Sequence, residues 1–146
     1  MLRDTPIKEI MVTKVVTVNL DELFSHVEEK MRANHIRHLP VLDKDKKLVG
    51  IITERDLHKA AAPHKTEDGY VYDKSELDSF VLKQFMTPNP IALKPESPIS
   101  EAVDIMATRK YGCIPIVNPN GTLVGIVTQI DVLKFVHRWF AGKSKS

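Results

Sequence analysis

Apolar residues recur along the chain in two alternating rhythms, and the whole series is written twice. A short β-branched run at 15–18 is followed by Phe24, Val27 and Met31, whose three- and four-residue spacing predicts an amphipathic helix. Two apolar runs come next, 39–42 and 48–52, and the polar turn 43–47 between them predicts a hairpin. A second helix is expected to open at Thr53. The later half repeats this order with a β-rich run at 90–93 and a helix burying Ile99, Ala102, Val103 and Met106. Apolar runs at 114–117 and 123–127 then flank the turn 118–121, and a last helix opens at Thr128. Ser97 and Pro98 are expected as N-cap and first residue of the 99–106 helix. The predicted order is β-α-β-β-α, twice, in an α/β (α+β) fold, each copy preceded by a short helical turn ending at Met11 or Met86.

The two series are one repeat. Adding 75 to a residue number, without a gap, carries Met31 to Met106, Pro40 to Pro115, the run 48–51 to 123–126, Thr53 to Thr128 and Asp56 to Asp131. The matched stretches, about 7–59 and 82–134, take up most of these residues, and no separate catalytic domain is expected among them. The organisation expected is repeat 1 over 1–60, a linker and connecting helix over 61–81, repeat 2 over 82–140 and a basic tail over 141–146. Within the linker, 58–73 is polar and broken by Pro63 and Gly69, which predicts a surface loop, and Asp73 with Glu76 signals the helix that leads into Met86. Tyr70 and Tyr72 are its candidates for a lid over a ligand.

Composition narrows the function. The 21 Lys and Arg against 19 Asp and Glu leave +2, too little to argue for a nucleic-acid partner. No run approaches the ~20 apolar residues of a membrane span. A single cysteine, Cys113, forms no intrachain disulfide, and the natural assignment is a reducing, cytoplasmic compartment.

The strongest chemical constellation is Gly-Ile-apolar-Thr-x-x-Asp at 50–56 and again at 125–131. A Thr three residues before an Asp at a strand-to-helix junction is a helix-capping arrangement. The same carboxylate can accept two hydrogen bonds from a ribose diol, while the helix N-terminus and the Thr hydroxyl attract a phosphate. Both readings share the same atoms and stay open.

The doubled pattern of Met, helix, Leu/Ile-Pro-Val/Ile, Leu-Val-Gly-Ile and Thr-x-x-Asp resembles a pair of cystathionine-β-synthase (CBS) domains, the two-repeat unit called a Bateman module. The resemblance implies two repeats packed about a pseudo-twofold axis, with clefts that take AMP, ADP, ATP or S-adenosylmethionine. It implies one ligand site from Val15, Thr17, Val18, Ile36, Arg37, His38 and Pro40 with Thr128 and Asp131. It implies a second from Thr87, Ile91, Ala92, Tyr111, Gly112, Cys113 and Pro115 with Thr53 and Asp56, and with Arg55 if its side chain turns inward. Tyr111 matches a position where some members stack a ring on adenine. The run 37–41 is similar to the His-Arg-Leu-Pro-Val phosphate-contacting run of the gamma subunit of AMP-activated protein kinase, with its two basic residues in reverse order. Because Gly112 and Cys113 replace Arg37 and His38, the first cleft is expected to favour phosphorylated ligands.

Other candidates are weaker. His35 and His38 lack further metal ligands at recognisable spacing, so no metal is expected. Cys113 reads as a small buried thiol. The expected function is a non-catalytic regulatory module that requires no cofactor, forms a homodimer through its apolar last helix (Phe135, Trp139, Phe140) and acts on an unknown protein partner. The alternatives are a structural adaptor without a nucleotide and a nucleotide-processing enzyme. No paired acid and base, P-loop or metal triad supports the enzyme.

Overall fold

The computed structural model of the protein describes residues 2–144, which divide into one unit of Val16–Pro90 and another assembled from residues 2–15 and 91–144. The first unit contains β1 (Val18–Asn19), α1 (Phe24–Asn34), β2 (His38–Leu42), β3 (Leu48–Thr53) and α2 (Glu54–Ala60). A small hairpin follows, β4 (His64–Thr66) and β5 (Gly69–Val71), then α3 (Lys74–Leu77) and β6 (Thr87–Pro88). Its sheet runs β1-β2-β3-β6, with β1 parallel to β2 and the other pairs antiparallel. The second unit carries α4 (Ile99–Arg109), β7 (Cys113–Val117), β8 (Leu123–Thr128) and α5 (Gln129–Ser144). Single bridges of Leu93 to Ile116 and of Val12 to Ile126 flank β7 and β8, so the pairing order of the first sheet is reproduced.

The compact units and the sequence repeats are not the same partition. Thr87, from the start of repeat 2, pairs with Ile51 of repeat 1, and Val12, from the start of repeat 1, pairs with Ile126 of repeat 2. Each repeat lends its opening segment to the sheet of the other. Gly50 and Gly125 mark the seams: a Cβ at Gly50 would lie 2.7 Å from Met86 Sδ, and one at Gly125 would lie 2.7 Å from Met11 Sδ. The two methionines lie flat on the two glycines.

Periodicity placed the helices well. Phe24, Val27 and Met31 of α1 are buried with Leu39, Val41, Ile52 and Leu57, and Phe24 meets Phe85 edge to face at 5.8 Å. In α4, Ile99, Ala102 and Met106 are buried. Val103, expected beside them, is instead 42% exposed, because one turn of α4 shows only part of its apolar stripe to this core. The expected cap is also corrected: Pro98 is the N-cap of α4, and the Ser97 hydroxyl accepts from the Lys94 N–H within the preceding turn. Of the run 15–18 only Val18 enters a strand. Thr17 turns its carbonyl to Lys30 Nζ, which donates to it at 2.8 Å and removes it from the ladder. Of the run 90–93 only Leu93 pairs, through a single parallel bridge to Ile116.

The linker is more structured than a loop, for β4 and β5 lie inside it. Asp73 caps α3 by accepting from the N–H groups of Ser75 and Glu76, but α3 is a four-residue helix and a separate 3-10 turn, Leu82–Gln84, precedes Met86. The helix α5 extends through Ser144, and Lys145 and Ser146 of the expected tail lie outside the described residues.

Asp78 ties the linker to repeat 1. Leu23, the N-cap of α1, offers no side-chain acceptor. Asp78 supplies one from 53 residues away: the Ser25 N–H donates to Oδ1 at 2.9 Å and the Ser25 hydroxyl to Oδ2 at 2.9 Å. A carboxylate at a helix N-terminus also meets the positive end of its dipole. Asp78→Ala is expected to destabilise the protein by about 1–2 kcal/mol, and urea unfolding checks it.

Candidate functional site

Both Thr-x-x-Asp motifs form at the junction of an antiparallel hairpin and a helix. In the first unit His38 lies opposite Thr53, and the Glu54 N–H donates to the Arg37 carbonyl at 3.0 Å, which fixes the entry into α2. In the second, Cys113 lies opposite Thr128 and the Gln129 N–H donates to the Gly112 carbonyl at 3.1 Å. The capping is identical. The N–H and the hydroxyl of Thr53 donate to Asp56 Oδ2 at 2.8 and 3.0 Å, and the Asp56 N–H donates back to Thr53 Oγ1 at 3.3 Å. Thr128 and Asp131 repeat these three bonds at 2.8, 3.0 and 3.3 Å.

One oxygen of each carboxylate carries the aspartate's share of the capping box. In both aspartates Oδ2 takes the two bonds, and Oδ1 joins no hydrogen bond among the described residues. Asp56 is buried and Asp131 half-buried, so each presents an acceptor with two unused lone pairs, held rigidly by its own N-cap. The capping bonds therefore leave the second oxygen of each carboxylate without a hydrogen bond among the described residues.

The neighbouring residues break the repeat symmetry. The His38 ring is half-buried, and its pKa is lowered below 6.5 by burial first, then by the positive charge of Arg37, with Asp56 opposing. Its counterpart Cys113 is buried, and burial pushes the thiol up to about 12, so it remains a neutral thiol. Arg37 is exposed, with Glu54 3.9 Å away, and Arg55 is exposed on the first turn of α2. Of the expected apolar wall, Val18 and Pro40 are buried, while Val15, Thr17 and Ile36 are half-buried. Thr87 is exposed on β6, Ile91 and Ala92 are half-buried, Tyr111 is 37% exposed and Pro115 is buried in β7.

His38 gives stability a pH dependence. Its native pKa lies below the unfolded value of about 6.5, so between the two values the unfolded chain binds more protons. The contribution of the neutral ring is complete above about pH 6.5 and is lost as pH falls towards the native pKa. His38→Gln is expected to flatten unfolding free energy against pH over that window relative to wild type, as measured by denaturant titration.

Sequence reasoning passed over a cavity of about 590 Å³ in the first unit, walled by α1, α2 and the β4–β5 hairpin. Tyr70 and Tyr72, the lid candidates, both line it, and Tyr72 packs edge to face on His58 at 5.8 Å. No group of three or more His, Cys, Asp or Glu among the described residues is placed to hold a metal ion. No helix of the described residues is long and apolar enough to cross a membrane.

This paired arrangement has known relatives. The family model of the CBS domain matches residues 7–63 and 82–138, and the chain belongs to the CBS domain family as a tandem pair. A CBS domain-containing protein of Dictyostelium discoideum is 34% identical over 131 residues, covering 87% of this chain and 88% of that protein. Inosine-5'-monophosphate dehydrogenase of Korarchaeum cryptofilum is 34% identical over 125 residues, which span 86% of this chain but only 23% of that enzyme. Among solved structures, the CBS domain pair of protein MJ0100, in complex with 5'-methylthioadenosine and S-adenosyl-L-methionine, has a TM-score of 0.74 and 26% identity. That match covers 90% of this chain and 99% of the other.

Proposed function

We propose that the chain is a non-catalytic regulatory module that binds an adenosine-type ligand, AMP, ADP, ATP or S-adenosylmethionine, and signals by a change of conformation. The observation that carries this reading is the division of labour in Asp56 and Asp131, where Oδ2 caps the helix and Oδ1 is left to accept from ribose hydroxyls. The ligands of the MJ0100 domain pair, both adenosine derivatives, support the class. His38 supplies a polar contact that Cys113 cannot, and Tyr111 supplies a ring where repeat 1 has Ile36. The two repeats are therefore expected to differ in ligand preference, with the ring at Tyr111 adding about 1 kcal/mol through stacking.

A thermal-shift panel of the four ligands tests the reading. Ligand at 100 times its dissociation constant stabilises a native state by about 2.7 kcal/mol, which is readily visible. No shift with any of the four favours an adaptor without a nucleotide.

The module is further proposed to be a homodimer. Ile130, Leu133 and Phe140 of α5 are all more than half exposed, with Phe140 at 60%, and they recur at three- and seven-residue spacing on one helix face. Leu133→Glu with Phe140→Glu is expected to convert the dimer to monomer in light scattering, with circular dichroism unchanged.

A further inference from the structure

The cavity of the first unit lies on the helical side, lined by residues between Glu28 and Tyr72, and neither Thr53 nor Asp56 belongs to its wall. Its floor is apolar, with Met31, Ile36 and Leu57, and Tyr70 on the hairpin is 70% exposed beside it. Above that floor Arg32 is committed to Glu28, donating to both carboxylate oxygens at 2.9 and 3.3 Å. A second, solvent-exposed pair is looser. Glu54 stands 3.9 Å from Arg37 and 3.7 Å from His58, beyond hydrogen-bond reach, and its carboxylate accepts no hydrogen bond among the described residues.

Repeat 2 has no such cavity wall. At the positions 75 residues on, Glu28, Arg32, Arg37, Glu54 and His58 become Val103, Ala107, Gly112, Gln129 and Leu133. The hairpin has no counterpart either, because α2 stops after 7 residues where α5 continues for 16. The charges and the roof thus occur together, in repeat 1.

We propose that this cavity binds a zwitterionic α-amino acid with a flat apolar side chain, its ammonium group on Glu54, its carboxylate on Arg37 and its ring against Tyr70. Two arginines against two glutamates make the wall neutral while the histidines are neutral, so a molecule carrying one charge of each sign fits better than a simple anion or cation. The separation of Arg37 from Glu54 leaves donors and an acceptor ready for it. The Tyr72 hydroxyl, held protonated by burial and by Glu54 and Glu28, adds a donor. A volume of about 590 Å³ lies within the range of small-molecule sites. Ile36 and Arg37 are shared with the expected first nucleotide cleft, whereas Glu54, Leu57, Tyr70 and Tyr72 are not.

Amide NMR of the full chain with L-phenylalanine, phenylacetate and phenethylamine tests it. L-Phenylalanine is expected to shift the signals of Leu57, His58 and Tyr70 saturably, at about tenfold lower concentration than either singly charged analogue. Glu54→Gln should weaken L-phenylalanine and phenethylamine by about tenfold and leave phenylacetate unchanged, and Tyr70→Ala should weaken all three. Binding should survive Asp131→Ala, a variant directed at the nucleotide. Unmoved signals, equal affinity for the three probes, indifference to Glu54→Gln or loss in Asp131→Ala each overturn the proposal.

Discussion

Asp56→Ala and Asp131→Ala are each expected to remove one nucleotide-binding event from a calorimetric titration, with affinity at that site falling by about a hundredfold or more. The size follows from the acceptor. Two hydrogen bonds from a ribose diol to a charged oxygen contribute about 1.5–3 kcal/mol each, and each 1.4 kcal/mol is a factor of ten. The same substitutions remove half of the capping box, because Oδ2 holds the Thr53 or Thr128 N–H, while the Thr hydroxyl oxygen keeps its backbone donor. That loss lowers stability by only about 1 kcal/mol. The fold should therefore persist while binding fails. Asparagine separates the two roles further, since Asp56→Asn keeps an acceptor for the cap but loses the charge that strengthens the ribose bonds. If both alanine variants melt lower and bind as wild type does, the aspartates are caps and nothing more.

Gly125→Val is expected to be the most destabilising of the single substitutions considered, by about 1–3 kcal/mol, with Gly50→Val behaving alike. A Cβ at Gly125 would meet Met11 Sδ at 2.7 Å and the Val12 carbonyl oxygen at 3.1 Å, and one at Gly50 would meet Met86 Sδ at 2.7 Å and the Thr87 oxygen at 3.0 Å. The sulfur can swing away, but the carbonyl cannot, because the Ile126 N–H donates to the Val12 oxygen at 3.0 Å. Met11→Ala in the Gly125→Val background should restore part of the loss, and the double-mutant cycle read by urea unfolding should show coupling. Strict additivity would mean that the opening segment does not press on this glycine.

These seams show what the sequence could and could not disclose. The 75-residue offset, the helices with Phe24 and Met31, and the Thr53–Asp56 and Thr128–Asp131 boxes were legible because each depends on residues within one or two turns of one another. The repeated Met and Gly were equally visible, yet their pairing across repeats was not. Nothing local distinguishes Met11 over Gly125 from Met11 over Gly50, for both glycines sit in the same Leu-Val-Gly-Ile run. The β4–β5 hairpin stayed hidden because His64, Lys65, Thr66, Gly69, Tyr70 and Val71 are all exposed, so no alternation of apolar and polar residues marks it. Its consequence, the cavity beside Leu57 and His58, was hidden with it. At the candidate site, the residue types were readable, but that the capping bonds fall on Oδ2 and leave Oδ1 without one among the described residues needed coordinates.

Native mass spectrometry of the chain incubated with an equimolar mixture of AMP, ADP, ATP and S-adenosylmethionine, beside the Asp56→Ala, Asp131→Ala double variant, tests the central claim most directly. An adduct with the mass of at least one of the four on wild type, absent from the double variant, is the predicted result. Bare wild-type protein, or the same adduct at equal intensity on both proteins, would contradict it.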